Sequence, residues 1–302
     1  MKLRELSLKD KDVFGQYLGL REHKLSVYSF ANIYIWKGIL RVYWQIVEGC
    51  LCVFLKDSTG CFLYLPPQGE LLNSRVLEDA FSIMDGFNKN QDIARVENIE
   101  EDQLGLFKKL GYSCYEKPGE YLCLRSAMAD LKGDRLKHKR ASVNYFIKHY
   151  RFAFEEFSSQ HKEACLELYL RWMQERASRY SDLLYQGMLK DSLKCFQVFL
   201  DDFSGMESLG RVVTIDGKVQ GVSFGFKISR DTFCILYEIT DLSFKGISQF
   251  IFREFCRDLK GYKYINIMDD SGLENLKRLK TSYAPDRFIP AYVAIRKNEP
   301  KN

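Results

Sequence analysis

The sequence predicts an α+β protein in two halves, each a mixed central sheet flanked by helices. Three observations carry this. The chain has 302 residues, beyond the size at which a single hydrophobic core keeps growing. Alternating and helical apolar patterns follow one another along both halves. The same order of strands and helices can be traced twice, although the halves share little identity. The halves are expected at residues 1–128 and 129–302. A composition of 46% hydrophobic and 28% charged residues is that of a globular chain and excludes disordered or fibrous classes.

In the first half, Asp10 to Leu20 reads as a polar opening helix. Tyr43 to Leu55 runs apolar, turns at Asp57-Ser-Thr-Gly60 and resumes from Cys61 to Leu65, which is a hairpin pattern. Pro66 and Pro67 end it. Leu72, Val76, Leu77, Ala80, Ile83 and Met84 then recur at helical spacing. A strand from Asp92 to Ile99 follows, then a helix from Glu101 to Leu110 stopped by Gly111. A closing hairpin is expected from Tyr112 to Leu124, folded at Pro118-Gly119.

The second half opens with a strand, Phe152 to Phe157, and helices from His161 to Arg176 and Gln186 to Asp201. Asp216-Gly217 between the runs Gly210–Ile215 and Val219–Ile228 is one of the strongest hairpin signals in the chain. Phe233 to Ile239 continues the sheet. The next helix buries Ile247, Phe250, Ile251, Phe255 and Leu259 on one face. A strand from Tyr262 to Ile267 and a helix from Leu273 to Lys280 follow, and Ile289 to Ile295 is expected to close this half's sheet.

A formal net charge of +5 is mild for this length and does not by itself imply nucleic-acid binding. Its distribution matters more. Between Lys132 and Arg151 there are seven Lys/Arg and two His residues, opposed only by Asp134. This segment reads as an amphipathic connector with Val143, Phe146 and Ile147 facing inward and a solvated charge face. Binding the phosphates of coenzyme A, tRNA or a lipid headgroup is the functional alternative, with Lys139 and Arg140 as the residues to test.

The nine cysteines form no C-x-x-C pair and no zinc spacing with histidine, so no metal site is expected. Several lie in apolar runs, as buried thiols of a reducing cytoplasm would. The charged opening, Lys2 to Asp10, does not read as a secretory signal. The most apolar stretch, Ser26 to Leu55, is interrupted by Lys37, Arg41 and Glu48, so no transmembrane segment is expected. His23, His138, His149 and His161 are scattered and receive no role.

The site-like segment runs from Glu238 to Pro285. A helix that starts directly after the strand Phe233–Ile239 points free backbone N–H groups and a positive dipole end at the sheet edge, where an anion can bind. Gly246 permits close backbone approach there, and Lys245 adds charge. The turn Ser243-Phe-Lys-Gly-Ile-Ser248 resembles the phosphate-cradling motif of GNAT acyltransferases, keeping one glycine and losing the leading Gln/Arg.

A longer pattern is more specific. Asn266-Ile-Met-Asp-Asp-Ser-Gly272, Leu276-Lys277 and Lys280-Thr-Ser-Tyr-Ala-Pro285 resemble the family related to the C-terminal domain of phosphatidylglycerol lysyltransferase. The basic segment from Leu131 to Phe146 and the aromatic Ser29-Phe-Ala-Asn-Ile-Tyr-Ile-Trp36 fit the same family.

That resemblance spans nearly the whole chain. It implies two GNAT-like domains in tandem, related to aminoacyltransferases that use charged tRNA. The activity it implies is transfer of an acyl or aminoacyl group from acyl-CoA or aminoacyl-tRNA to an amine or hydroxyl of a small-molecule, lipid or peptide acceptor. A binding module without turnover, for an acyl-CoA, a nucleic acid or a protein, is the competing reading. It draws on departures from the family pattern: Ile239 where a Lys is expected, and Ile267-Met268 where Arg-Glu is expected.

Acyl transfer needs a base for the incoming nucleophile and an acid for the leaving group. Glu238, on the strand ending at the turn, is the candidate base, and Tyr283, just past the last helix, the candidate acid. Asn266, Asp269, Asp270 and Lys280 are candidates for substrate binding. Ser243, Lys245, Gly246, Ser248, Lys139 and Arg140 are candidates for holding the donor. Each has a plainer reading, as a capping carboxylate, a buried phenol bonded to backbone, or an ordinary strand-to-helix turn. In the first half, Phe107 stands where GNAT enzymes carry an acidic Tyr, so that half is expected to be structural.

Overall fold

The computed structural model describes residues 3–179 and 182–297. Along the first part of the chain lie β1 (Arg4–Glu5), α1 (Lys11–Leu18), α2 (Phe30–Ile35), β2 (Arg41–Val47), β3 (Cys50–Lys56) and β4 (Cys61–Leu63). They are followed by α3 (Ser74–Asp85), β5 (Arg95–Glu100), α4 (Glu101–Lys109) and β6 (Ser113–Leu124). The remainder forms α5 (Arg125–Asp130), α6 (Lys137–His149), β7 (Phe152–Glu156), α7 (Lys162–Arg179), α8 (Leu183–Asp201), β8 (Ser208–Ile215), β9 (Lys218–Lys227) and β10 (Thr232–Thr240). Last come α9 (Ile247–Asp258), β11 (Tyr264–Asn266), α10 (Glu274–Thr281) and β12 (Arg287–Ile295).

Two compact units result, Met1–Gly119 with Ile289–Asn302, and Glu120–Phe288. In the first, strands run in the order β1-β2-β3-β4-β5-β12. β4 and β5 pair in parallel, with α3 in the connection between them. Asn73 caps α3, its Oδ1 accepting from the Val76 N–H at 3.1 Å, which stabilises a helix by about 1 kcal/mol. The apolar stripe of α3, Val76, Leu77, Ala80, Phe81 and Met84, closes a core with Phe54, Val96 and Phe107. Phe107 is fully buried there and packs edge-on to Tyr112.

The second unit repeats the theme, with order β6-β11-β10-β9-β8-β7. One face of its sheet carries α5, α6 and α9 around Phe146, Phe233, Phe250, Phe255 and Ile265. On the other, Phe196 and Phe199 of α8 pack on Phe224 and Tyr237. Asp216 and Gly217 both have positive φ, 51° and 73°, as the two-residue turn joining β8 to β9 requires. Gly111, at φ 89°, ends α4 as expected. Among the described residues no helix is long and apolar enough to cross a membrane.

The α+β class and the mixed sheets flanked by helices are as the sequence predicts. The structure differs at three places. Pro118-Gly119 is not a turn, because β6 runs continuously from Ser113 to Leu124; a proline's fixed φ is compatible with an extended chain wherever its missing N–H is not needed. The last strand does not close the second unit's sheet. It pairs antiparallel with β5, from Ala291↔Glu100 to Ile295↔Arg95, and completes the first unit's sheet.

The end of β6 in turn pairs with β11, Leu122↔Asn266 to Leu124↔Tyr264, and completes the second unit's sheet. Each sheet is thus finished by a strand from the other half of the sequence. For that reason the units divide at Gly119/Glu120 and again at Phe288/Ile289, and not at the single boundary expected after residue 128.

Candidate functional site

The site begins where two parallel strands part. β10 and β11 pair only through Thr232↔Tyr264, Phe233↔Ile265 and Cys234↔Asn266. Beyond that point β10 stays with β9, while the chain after β11 turns toward β6, the Ile267 N–H donating to the Tyr121 carbonyl at 3.0 Å. The strands therefore splay, and Lys280 reaches in to donate to the Ile267 carbonyl.

A β-bulge between Ile235 and Tyr237 sets which side chains face this opening. Phe233 and Ile235 belong to the core beneath α6 and α9. Strict alternation would put Tyr237 there too. The bulge sends its ring to the other face, 4.9 Å from Phe196 and 5.5 Å from Phe199, and brings Glu238 to the α6 and α9 side.

Burial pushes the Glu238 carboxyl up to about 8, against the opposing pull of Lys139 and Lys280. Burial holds the Lys139 ammonium below its ordinary value, with Glu238 pulling it back. Its Nζ stands 3.9 Å from the centre of the Tyr283 ring. Burial also lowers Lys280, opposed mainly by Asp269. Tyr283 is held well above the usual phenol value by burial and then by Glu238, and its ring packs on Phe252 at 4.7 Å. Lys139, Glu238 and the neighbouring Lys280 and Tyr283, from three separate segments of the sequence, form one cluster.

The other candidates do different things. Asn266 is fully buried, donating to Glu120 at 2.5 Å and accepting the Met268 N–H at 2.7 Å, so it holds the left-handed Met268 in place. Asp269 accepts from the Ser271 N–H and hydroxyl. Asp270 is buried and accepts from the Tyr121 hydroxyl at 2.6 Å and the Gly272 N–H at 3.0 Å. These residues shape the loop beside Lys280.

At the turn before α9, Ser243 bonds to Asp241 through its N–H and hydroxyl. Ser248 is 2.6 Å from the Thr240 hydroxyl. Gly246 has φ +91°, and a Cβ there would lie 2.1 Å from the Ser142 carbonyl oxygen of α6. The close approach that this glycine permits is therefore to α6. Lys245 lies over the Tyr145 ring at 4.6 Å, and Arg140 donates to the carbonyls of Leu131 and Gly133. A pyrophosphate fits this turn poorly: α6 covers one side and the Asp241 carboxylate lies within it.

Glu120 and Tyr121 are the residues that sequence reading missed. Glu120 is 3% exposed, bonded to Asn266 and felt by Lys280. With Pro118-Gly119 taken as a turn, nothing local marked Glu120 as interior. Among the described residues no group of three or more His, Cys, Asp or Glu side chains is arranged to hold a metal ion.

The fold is GNAT-like, a mixed sheet flanked by helices, and its parallel strands β10 and β11 splay over a carboxyl, a phenol and two half-buried ammonium groups. The chain belongs to the family of the C-terminal region of phosphatidylglycerol lysyltransferase, which matches residues 19–295. Among solved structures it is similar to a conserved protein of unknown function from Bacteroides thetaiotaomicron, at 21% identity and TM-score 0.88, covering 98% of this chain and 100% of that one. It is also similar to L-PGS from Bacillus licheniformis, at 16% identity and TM-score 0.69 over 99% and 94% of the two chains. For FemX the identity is 10% and the TM-score 0.63, over 99% and 98%. At these identities the likeness is one of fold. No protein of curated function matches the chain in sequence.

Proposed function

We propose that this protein is an aminoacyltransferase that moves an aminoacyl group from charged tRNA to an amine or hydroxyl acceptor. The observation that carries the reading is Glu238, a carboxyl titrating at about 8 beside Tyr283 and Lys139. Raised toward neutrality, the carboxyl suits a base that works near pH 7. The carboxylate takes the proton of the acceptor as its nitrogen or oxygen attacks the ester carbonyl. As the ester C–O bond breaks, the Tyr283 phenol gives its proton to the departing ribose oxygen. Lys139, over the ring, steadies the phenolate until Glu238 returns the proton.

Charged tRNA is favoured over acyl-CoA as donor by the turn at Gly246, whose close approach is to α6 and which holds the Asp241 carboxylate. The match to the phosphatidylglycerol lysyltransferase family supports transfer of an aminoacyl group. The nine free cysteines suit a reducing cytoplasm. A binding module without turnover is the second reading, favoured by Ile239 and Met268, where the family resemblance expects charges.

The test is a panel of charged tRNAs and acyl-CoAs, offered with amine, lipid and peptide acceptors. Product from a charged tRNA is expected, with Glu238→Gln and Tyr283→Phe each slowing turnover by about 10²- to 10⁴-fold. Binding without product overturns the enzyme reading, and turnover of acyl-CoA alone overturns the donor.

A further inference from the structure

On α6, Ser142, Tyr145 and His149 recur at spacings of three and four and so share a stripe, which faces the turn before α9 at Gly246. Next to Gly246, the Lys245 ammonium lies 4.6 Å from the Tyr145 ring centre. The His149 ring lies 3.9 Å from the same centre, with planes 13° apart. At these separations an ammonium and an imidazole cannot occupy one face of a ring, so the three groups form a column: Lys245, Tyr145, His149. His149 Nδ1 is 2.8 Å from the Tyr145 carbonyl oxygen, which fixes the imidazole in the stack.

The outer face of His149 is open to solvent, since His149, Lys148 and Lys245 are all exposed. Around it the segment from Lys132 to Arg151 holds Asp134 as its only acidic residue. A half-buried Tyr145 stacked on an exposed His149 among cations is an arrangement suited to a stacked base and its phosphate.

Resting on the donor reading above, we propose that the outer face of His149 stacks a nucleobase of the unpaired 3′ end of the charged tRNA, with Lys245 and Lys148 at the adjoining phosphates. The spacing fits. His149 lies ten residues beyond Lys139, the residue at the Tyr283 ring. That is about 15 Å along the helix at 1.5 Å per residue, or roughly four stacked nucleotides at 3.4 Å each. The distance along α6 from His149 to the Lys139 and Tyr283 pair is thus close to the length of an unpaired 3′ end.

The experiment uses two fluorescein-labelled, uncharged RNA hairpins, one with a four-nucleotide 3′ overhang ending in CCA and one blunt. Binding is followed by fluorescence anisotropy at several salt concentrations, with thermal melts to show that each variant is folded. The overhang is expected to tighten binding by about tenfold, and His149→Ala to remove that gain. Lys245→Gln should lower the slope of log affinity against log salt by about one.

Equal binding of the two hairpins, or full overhang preference in a folded His149→Ala protein, overturns the proposal. So does tight binding to anionic vesicles without any overhang preference, which assigns the surface to a membrane. The hairpins carry no ester to react, so a failure of the transfer assay leaves this measurement standing and the two readings fail separately.

Discussion

Changing Glu238 to Gln removes a proton site whose behaviour can be worked from its surroundings. The folded value of about 8 stands against an ordinary 4.5. The shift favours the protonated form, so Glu238 costs the fold nothing below pH ~4.5, and its stability contribution is lost progressively as pH rises through the folded value. Across that window the folded state holds one more proton than the unfolded, and stability falls by about 1.4 kcal/mol per pH unit. The full shift corresponds to ~5 kcal/mol, and solvent at the mouth of the strand opening narrows it.

Gln has no such titration. Urea unfolding of both proteins at half-unit steps from pH 5 to 9 should therefore show the wild type losing stability relative to Glu238→Gln up to about pH 8, then running parallel to it. Lys139→Met should move the end of the window upward, because Lys139 opposes the shift. A wild-type-minus-variant difference flat within ~0.5 kcal/mol over the range would show that Glu238 is an ordinary solvated carboxylate, and the base assigned above would go with it.

Two further outcomes concern the frame of the site. Gly246→Ala combines φ +91° with a Cβ 2.1 Å from a backbone oxygen of α6, so a loss of about 2–4 kcal/mol is expected in urea unfolding; Ser142→Gly should not rescue it, because the clash is with the main chain. Asn266→Ala leaves Glu120 without its 2.5 Å partner and the Met268 N–H without its acceptor, and should cost about 1–3 kcal/mol by the same measurement. An unchanged urea midpoint in either variant would refute the corresponding packing or hydrogen-bond argument.

Much of the fold was legible because it is local. Asp216-Gly217 announces its turn through two left-handed residues, and Gly111 stops α4 for the same reason. The stripe of α9 is set by 3.6-residue periodicity. Of the site, Glu238, Tyr283, Lys139 and Lys280 could be named from position and resemblance, but their assembly could not. The bulge after Ile235 has no sequence signature, yet without it Glu238 would face α8. Glu120 was invisible for a related reason: its burial depends on β6 joining β11, a partner more than a hundred residues away.

Gly246 shows the other limit. A glycine before a helix marks a close approach without saying to what, and here a helix takes the place where a ligand was expected. By itself the sequence determined the α+β class, most of its elements and the residue types available for chemistry, because periodicity, caps and turns act over a few residues. Only the tertiary structure decided which strand completes each sheet and that side chains from three distant segments meet where β10 and β11 part. Pairing partners and burial are properties of the assembled chain, and it is burial that moves this carboxyl to about 8.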